Sequence, residues 1–561
     1  MNKKMYMLLP LLAAQAHHAQ TVKDSTAAIE QVVITASRTK QKLVNVPQKL
    51  SVITASDINK TSSADVTDII KKNTTVDVIQ YPGLLSGIGI RGFRPQFSGL
   101  TQRTLLLVDG RPAGATNMGL LDQNFVERIE VLKGPASALY GSQAMGGVVN
   151  LITPKSTGPV HGKMSGSYGS FDTYTASVKA GGSIDKRFDF DVSGMFFKRA
   201  SNYRTGKGNV FRKILKGDQA KQVYSINRNG TIQDSLAYVN DEYGDGVTRP
   251  YTQYSYYTTS GRVGYKISSG WRVDLSSSSF VANNVESPGE ITKNGTDAGL
   301  KDIYRYGGDL SITGIQGIHD LSFKAYLSSE KSNNFTVRNS KGEVIDNPFL
   351  SRITGYNWKG IQLRDQIHLG RHRITAGYDY NYAYGNLKVY SAPVGQQANE
   401  YTTSPNSSLV SNGIYVQGNL NFLDNKLILN PGARMDFTTF SILDTPGFIN
   451  ELQTGSKTTR FFSPSFSGQY RFFDRFAVHG SVGRAFVTPD ASNIAVLPLL
   501  VKVQVRSPSI REILILRTKT AGLRILVSNI TAMSYWRISL TSGPMSKTVS
   551  LPELFRRKRL W

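Results

Sequence analysis

A glycine-rich stretch has the residue spacing of a nucleotide-binding loop. Gly87-Ile-Gly-Ile-Arg-Gly92 fits the pattern G-x-G-x-x-G, and Asp109 lies about 20 residues further on, where a dinucleotide site carries an acidic residue for the ribose. That chemistry needs a helix that begins at the glycines, because its N-terminus must meet the pyrophosphate. Phe93-Arg-Pro-Gln96 follows instead and cannot start such a helix. The stretch therefore does not predict a dinucleotide site.

Side chains that do nucleophilic or metal chemistry are scattered. Cysteine is absent, which excludes disulfides and thiolate metal sites. His368 and His372 are four positions apart among residues that alternate as in strands, so we expect them on one strand about 13 Å apart. We predict no catalytic residue, no metal site and no cofactor, and we do not expect an enzyme.

The most informative block runs from Val126 to Asn150. A charged strand should end at Gly134-Pro135, a short helical patch should cover 136–140, and an apolar strand should run from Val148 to Ile152. Glycines separate these pieces, and we expect several of them at positive φ or in close backbone contact. The glycines concerned are Gly134, Gly141, Gly146 and Gly147.

The first strand of this block has one charged face. Alternation places Arg128 and Glu130 on one side and Ile129 and Val131 on the other. The charged side is expected either to meet polar groups of a surrounding wall or simply to face solvent.

The elements around this block predict a small α/β unit over residues 45–158. A short amphipathic helix is expected from Ser56 to Ile70. Strands are expected near Val76–Ile79, Gly87–Arg91, Thr104–Val108 and Val126–Leu132.

From about Lys163 to Phe486 the sequence alternates with period two. Runs such as Leu321 to Leu327 and Ile374 to Tyr382 are separated by long polar stretches, among them Ser201 to Tyr251, or by brief turns such as Leu423 to Lys426. Runs of about 8–11 residues have the length of tilted bilayer-crossing strands, which need a closed barrel so that every backbone group is paired. The alternative is a soluble β-sandwich, but its strands would average about 5–6 residues.

The N-terminus has the pattern of an export signal. Lys3 and Lys4 precede an apolar stretch from Met5 to Ala14, and Ala14-Gln-Ala16 is an A-x-A-type cleavage site. We expect residues 1–16 to be a signal peptide and residues 17–44 to form a periplasmic segment.

Together these motifs resemble the TonB-dependent outer-membrane receptors, of the siderophore and cobalamin type. Ile88-Gly-Ile-Arg-Gly-Phe93, Leu106-Leu-Val-Asp-Gly-Arg-Pro112 and the block from Val126 resemble the family's plug domain, and Asn430-Pro-Gly-Ala-Arg-Met-Asp436 resembles a mid-barrel strand. The resemblance covers about residues 29–490. It implies a mainly β fold, in which an N-terminal α/β plug sits inside a transmembrane antiparallel β-barrel. The family's barrel has 22 strands, whereas residues 159–491 suffice for roughly 14, so we expect an incomplete barrel.

The resemblance also assigns residues. A stretch rich in β-branched residues resembles the TonB box, which adds as a strand to the partner TonB; an ordinary first strand is the alternative. Its residues are Ile29, Glu30, Gln31, Val32, Val33, Ile34, Thr35 and Ala36. The positions expected to carry the plug structure are Arg91, Gly92, Asp109, Gly110, Arg128, Glu130, Gly134, Pro135, Tyr140, Gly141, Gly146, Gly147 and Asn150.

The function implied by the resemblance is active uptake through the outer membrane of a Gram-negative bacterium. The expected partners are the TonB complex, outer-membrane lipid and a scarce large ligand, with a ferric siderophore first and cobalamin second. The rivals are a structural or adhesive barrel, an exported enzyme and a non-functional truncated receptor. The plug-like motifs and the predicted TonB box argue against the first rival, and the lack of a paired nucleophile and base argues against the second.

The charge of the chain is uneven. The formal net charge is +26, but the basic residues are scattered among polar strand faces and do not predict nucleic-acid binding. Residues 492–561 hold 12 Lys or Arg, two Glu and only two of the 52 glycines. We interpret this tail as an out-of-frame translation that does not complete the barrel, with a divergent but genuine end as the alternative. Reading the nucleotide sequence around codon 490 in all three frames distinguishes them.

Overall fold

The structure consists of an N-terminal α/β domain and a large antiparallel sheet that wraps around it. It is a computed structural model. It describes residues 33–34, 38, 41–96, 99–204, 221–226, 232–237, 250–288, 298–338, 344–390, 400–402, 404–448, 454–473, 476–488 and 537–542.

The N-terminal domain contains nine short strands and three short helices within the described residues. The strands are β1 (Val33–Ile34), β2 (Gln41–Lys42), β3 (Leu50–Ile53), β4 (Asp77–Tyr81), β5 (Leu85–Gly89), β6 (Thr104–Val108), β7 (Arg111–Pro112), β8 (Arg128–Lys133) and β9 (Gly147–Ile152). The helices are α1 (Ala55–Lys60), α2 (Val66–Asn73) and α3 (Ser137–Tyr140). Single 3-10 turns cover Leu43–Asn45, Met118–Leu120 and Gln123–Phe125.

Five of these strands form one sheet with its own apolar core. Their order is β3, β8, β9, β6 and β7, and only the β6–β9 pair is parallel. Val131 and Val149 of the sheet pack with Val66 of α2, and all three side chains are 0% exposed. Strand β6 occupies the five residues predicted from the sequence, because every residue from Leu105 to Val108 is apolar.

The single helix predicted from Ser56 to Ile70 is wrong, since the structure has two helices there. Thr54 starts α1 with a capping box, in which it exchanges hydrogen bonds with Asp57. Asp65 then starts α2 by accepting a hydrogen bond from the backbone N–H of Asp68. The polar residues between Lys60 and Asp65 serve a helix end and a new cap better than a helix interior. No helix in the described part of the chain is long and apolar enough to span a membrane.

The large sheet contains 15 strands, and 13 of them have eight residues or more. These 13 are β10 (His161–Gly169), β11 (Thr173–Ser183), β12 (Phe188–Arg199), β15 (Tyr254–Lys266), β16 (Trp271–Ser287), β17 (Gly299–Gln316), β18 (His319–Arg338), β19 (Val344–Leu369), β20 (His372–Tyr390), β22 (Ser407–Phe422), β23 (Leu427–Ile442), β24 (Gly455–Phe473) and β25 (Phe476–Gly483). The short strands β21 (Glu400–Tyr401) and β26 (Arg537–Ser542) complete it, and β13 (Lys221–Ile226) pairs separately with β14 (Ile232–Ala237).

The period-two alternation in the sequence places successive side chains on opposite faces of this sheet. In β12, Asp189, Asp191 and Ser193 are buried on the side of the N-terminal domain, whereas Val192 is 47% exposed. Leu275 and Ile414 are each 60% exposed on the same outer side. An apolar outer face and a polar inner face are typical of a bilayer-crossing barrel wall.

The sheet is not closed in the part of the chain that the structure describes. Its order begins at β10 and ends at β26, and β10 pairs only with β11. The expectation of an incomplete barrel is therefore confirmed for these residues. Of the tail from 492, the structure describes only β26, which pairs with β25; the rest of that prediction lies outside the described residues.

The prediction that His368 and His372 lie on one strand is wrong. His368 lies at the end of β19 and His372 begins β20. Gly370, at φ +62°, and Arg371 form the tight turn between them. The alternation on either side of this turn resembles one continuous strand, which is why the sequence misled.

Gly147 should be intolerant of a side chain, because it lies at φ +155° and a Cβ there would approach the carbonyl oxygen of Leu132 to 2.3 Å. We expect Gly147→Val to destabilise the N-terminal domain by about 2–4 kcal/mol. Calorimetry of the purified protein in detergent measures this. The matched control is Gly158→Val, at a glycine with nothing within 4 Å of its ideal Cβ, where we expect a change within about 0.5 kcal/mol. Equal stability of the two variants would contradict the assignment.

Candidate functional site at the interface between the domain and the sheet

The stretch predicted to be a TonB box begins the described chain. Val33 and Ile34 form β1, which pairs antiparallel with β2 through Val33 and Lys42 and through Ile34 and Gln41. The other six residues of 29–36 lie outside the described residues. The two that are described already have the extended, hydrogen-bonded backbone that strand addition uses.

Arg38, two residues beyond this stretch, is held by the sheet. Its Nη1 and Nη2 donate to the two carboxylate oxygens of Asp379 on β20, at 3.1 and 2.8 Å. The guanidinium also lies over the rings of Tyr140 and Tyr415, with its carbon 4.5 and 4.4 Å from their centroids. A two-pronged arginine–carboxylate pair fixes geometry as well as charge. We call this pair with its two rings the Arg38 clamp.

The electrostatics of the clamp follow from its burial. Arg38 is 8% exposed and Asp379 1%. Burial lowers the pKa of Arg38, but Asp379 and the rings of Tyr415 and Tyr140 raise it by more, so the pKa lies above its ordinary value. Burial raises the pKa of the Tyr140 hydroxyl, because the charged phenolate is disfavoured away from water. The clamp therefore places a guanidinium against one carboxylate and two aromatic rings.

A second arginine balances the charge at Asp379. Arg434 of β23 donates from Nη1 to Asp379 at 2.6 Å and from Nε to Asp436 at 2.9 Å. The same Nη1 donates to the backbone oxygen of Leu139 in α3 at 3.2 Å. Two arginines and two aspartates thus form a buried neutral group, which is stable only while every member keeps its partner. Gly141 makes room for it, since a Cβ there would lie 2.9 Å from Asp436 Oδ1.

The chain after the clamp is held by hydrogen bonds without a carboxylate, one of them a longer bond of 3.4 Å from Arg471 to the oxygen of Val44. His479 lies 2.8 Å from the oxygen of Pro47 through Nδ1, and Gln469 donates to the oxygen of Val44 at 2.9 Å. Gln48 donates to Ser467 at 2.9 Å. Strands β24 and β25 therefore hold this segment by bonds that water can replace.

A third contact region lies on β17 and β18. Arg111 of β7 pairs with Asp309 at 2.7 Å. Arg305 donates from Nη2 to the oxygen of Ala113 at 2.6 Å, and Thr116 donates its backbone N–H to Glu330 at 2.9 Å. The residues from 111 to 116 are thereby fixed to the wall by charged partners.

Two family profiles match the chain over this architecture. TonB-dependent Receptor Plug Domain matches residues 42–148, and TonB dependent receptor-like, beta-barrel, matches residues 233–499. Together they cover about two-thirds of the chain. This chain belongs to the TonB-dependent receptor family. The N-terminal domain is therefore the plug, and the large sheet is the barrel wall of an outer-membrane receptor of Gram-negative bacteria.

Named relatives agree with this membership. The chain is 26% identical over 408 residues to the vitamin B12 transporter BtuB of Vibrio vulnificus, covering 68% of this chain and 62% of that protein. It is 27% identical over 497 residues to the ferric enterobactin receptor PirA of Pseudomonas aeruginosa, covering 80% and 60%. The receptor thus spans about 60% of the length of these curated relatives.

Solved structures show the same fold. The structure is similar to that of the ferric yersiniabactin uptake receptor FyuA from Yersinia pestis, with a TM-score of 0.57 and 14% identity. The match covers 79% of this chain and 66% of that one. At this identity the likeness carries the fold alone.

The link from plug to barrel wall has its own charge cluster, which we call the linker cluster. Lys155 pairs with Asp274 at 3.3 Å, and the backbone N–H of Ser156 donates to Asp191 at 3.2 Å. Arg262 pairs with both carboxylates, at 2.8 and 2.5 Å. The C-terminal end of the plug is therefore held by a half-exposed ion pair and a backbone hydrogen bond to buried carboxylates, whereas its N-terminal end is held by the buried Arg38–Asp379 pair.

The charged face predicted on β8 is paired within the plug. Arg128 Nε donates to Glu130 Oε1 at 3.0 Å, and Glu130 is 0% exposed. That this face locks the plug against the wall stays a prediction.

Other predicted plug residues build its turns. Asp109, at φ +49°, accepts hydrogen bonds from the backbone and the hydroxyl of Thr153, at 3.0 and 2.6 Å. Gly110, at φ +81°, donates its N–H to the side chain of Asn150 at 3.0 Å. These bonds join the β6–β7 turn to the end of β9.

A further group of predicted residues meets at the Gly134-Pro135 turn. Arg91 and Gly92 have φ +58° and +79°. A Cβ on Gly134 would lie 2.5 Å from Arg91 Nη1, and one on Gly146 would lie 3.1 Å from Phe93. Gly134, Gly141 and Gly147 have positive φ, so the expectation for the glycines of this block is confirmed.

Of the clamp residues, the sequence singled out only Tyr140. Arg38 follows the predicted TonB box directly, and Arg434 and Asp436 alternate within the quoted barrel motif. Their partner Asp379 has no local signal at all. The alternation of Arg434 and Asp436 on one strand is the pattern that could have indicated an inward-facing charged pair, because such a pair cannot face lipid.

Removing the clamp arginine should release the segment before it. We expect Arg38→Ala to shift the equilibrium between the held and the released segment toward release by roughly 1.5–3 kcal/mol, or about tenfold or more. The reason is that hydrogen bonds to a buried carboxylate are lost. Because the chain has no cysteine, Thr35→Cys gives a unique site for a nitroxide label, whose spectrum reports the mobile fraction.

The matched control for this prediction is Arg371→Ala. It breaks the Arg371–Asp424 pair, which is at 2.9 Å against 2.8 Å for Arg38–Asp379 but whose side chains are 56% and 89% exposed. Exposed pairs contribute only about 0–1 kcal/mol, so the label spectrum should not change. An immobile spectrum in the Arg38→Ala protein would show that Arg38 does not hold the segment.

Proposed function

We propose that this receptor is an energy-coupled transporter that carries a scarce large ligand across the outer membrane, with a ferric siderophore as its ligand. The observation that carries the proposal is the position of the Arg38 clamp. It lies two residues beyond the predicted TonB box at 29–36 and joins that segment directly to β20 of the barrel wall. Once β1 has left β2, tension applied to the box would reach the clamp before the other described contacts between plug and wall.

The coupling step is a strand exchange followed by extraction of the plug end. Strand β1 pairs with β2, and TonB, driven by the inner-membrane proton gradient, would add as the new strand partner. Once Arg38 leaves Asp379, the next contacts of the described chain with the wall are that of Gln41 with Asn419 and then those of residues 44–48 with β24 and β25. These bonds exchange with water at small net cost, so the plug would shift from this end and open a path along the wall.

The charge of the plug loops supports an anionic ligand. Residues 78–108 contain three arginines and no acidic residue. Arg94 is exposed, and Arg103 is half-buried in the same loop region between β5 and β6. Ferric siderophores with anionic groups would be attracted to such loops. The relative PirA is named a ferric enterobactin receptor.

Cobalamin is the second candidate ligand. The observation in its favour is the similarity to the vitamin B12 transporter BtuB over 68% of the chain. Cobalamin is bulky and carries little net negative charge, so recognition would depend on the polar and aromatic side chains of the loops more than on the arginines.

Uptake by cells tests the proposal. The full chain is expressed in a Gram-negative host that lacks its own receptors for both ligands, and accumulation of radiolabelled ferric enterobactin and of labelled vitamin B12 is measured with and without TonB. We expect TonB-dependent accumulation of the iron label. Accumulation of only the vitamin would support the second candidate. No TonB-dependent uptake of either ligand would overturn the proposal and favour a non-functional truncated receptor.

Proline in the predicted TonB box should separate transport from binding. We expect Val33→Pro and Ile34→Pro to abolish uptake, because proline removes a backbone donor from the added strand and fixes φ. Surface binding of the ligand should be unchanged. Thr26→Pro, in the same N-terminal stretch but outside 29–36, is the control and should leave both intact. Equal loss of binding and uptake would assign the segment a structural role.

A further inference from the structure

A loop of the plug is seated in an apolar pocket of the barrel wall, on the side away from β1. Leu100, between β5 and β6, is 4% exposed. It packs against Ala383, Leu409 and Phe440, with Tyr356 and Trp358 beside them. We call this pocket the Leu100 seat. It lies near the strand ends that carry the long connections, because β20 ends at Tyr390 and β22 begins at Ser407.

One plug side chain holds the backbone of Leu100 in this seat. Gln143 Nε2 donates to the oxygen of Leu100 at 2.8 Å. Gln143 has φ +75°, a conformation that non-glycine residues other than Asn and Asp seldom adopt. Backbone strain of this kind persists only where the surroundings fix the residue. The structure therefore holds Gln143 in place between two elements.

The other element is the Arg38 clamp. Tyr140, three residues before Gln143, supplies a ring against Arg38, and Leu139 accepts from Arg434. Helix α3 joins them into one short loop, in which the N–H of Gly141 donates to Ser137 at 2.8 Å. The loop is closed at its base by the bond from the N–H of Ala136 to the oxygen of Ala144, at 2.9 Å.

The closed base of this loop determines which residues move when Gln143 is displaced. A loop fixed at residues 136 and 144 cannot take up motion in its flanks, so movement at Gln143 must appear within residues 137–143. Those residues include Leu139 and Tyr140, which contact the clamp. A pull on the backbone of Leu100 is thereby converted into a shift of the groups that surround Arg38.

We propose that Gln143 is a positioning residue that couples the Leu100 seat to the Arg38 clamp, and this rests on the proposed function. In the resting receptor, the Gln143 amide keeps the loop 136–144 in the position that presents Tyr140 to Arg38. A ligand that displaces the loop between β5 and β6 moves Leu100, and Gln143 passes this movement to the clamp. The segment before Arg38 is then released to TonB.

The test is a double-mutant cycle on the full chain in outer-membrane vesicles, without ligand. A nitroxide at Thr35→Cys reports the ratio of mobile to immobile segment. We expect Gln143→Met, which keeps the volume but removes the donor, to raise this ratio about fivefold, as the loss of one buried hydrogen bond predicts. In a chain that already carries Asp379→Asn, the same change should have no further effect, because the clamp is already weakened.

Two variants separate the hydrogen bond from other effects. Gln143→Asn favours positive φ but is too short to reach Leu100, so it should behave like Gln143→Met; a wild-type ratio would show that strain, not the bond, matters and would overturn the proposal. Gln123→Met is the matched control, because the Gln123 side chain also donates a hydrogen bond, to the sulfur of Met195 at 3.6 Å, but lies away from the clamp. It should leave the ratio unchanged.

The outcomes are distinct from those of the uptake experiment. A wild-type ratio in Gln143→Met, or effects of Gln143→Met and Asp379→Asn that multiply independently, would overturn the coupling role even if uptake is TonB-dependent. A purely structural role for Gln143 would lower the unfolding temperature of the plug without this dependence on Asp379. If the double-mutant cycle gives the expected result but no uptake is observed, the coupling role of Gln143 stands and the transport proposal is overturned.

Discussion

The contact between plug and wall is polar, and the rest of the receptor depends on that. Inward side chains of the wall such as Asp191, Asp274 and Asp379 are each at most 3% exposed, yet each has a charged or hydrogen-bonding partner. An apolar interface of this extent would resist separation in proportion to its area. Hydrogen bonds exchange with water at a net cost of only about 0.5–1.5 kcal/mol each, or about 1.5–3 kcal/mol where a partner is charged. The plug is therefore held in a defined position by contacts that water can take over one at a time.

The apolar stabilisation lies elsewhere, inside the plug itself. The core around Val66, Val131 and Val149 is formed by plug residues. Two smaller apolar clusters join plug and wall: Leu84 and Leu120 pack against a group that includes Phe197, and Leu100 lies in its seat. A domain with its own core can move without losing it. The alternation of the wall strands makes this division possible, because each strand gives one face to lipid and the other to the plug.

The sequence predicted the local features well and the long-range ones poorly. Thr104–Val108 and the glycine turns near Gly134 could be predicted because a run of apolar residues or a glycine carries its own conformational preference. The break before Asp65 was missed because capping competes with amphipathic periodicity over the same few residues. The pairing of Arg38 with Asp379 joins residues 341 positions apart. Only the register of 13 long strands brings them together, and no local pattern contains that register.

The pairing of β1 with β2 occupies the strand edge of the predicted TonB box. Only residues 35–40 connect the two strands, so β2 competes at an effective concentration of millimolar order or higher. An external strand present at far lower concentration gains little from simple affinity against such a neighbour. Recognition of the predicted box by TonB would therefore be governed by how often β1 separates from β2, and TonB would detect that local opening before it applied force.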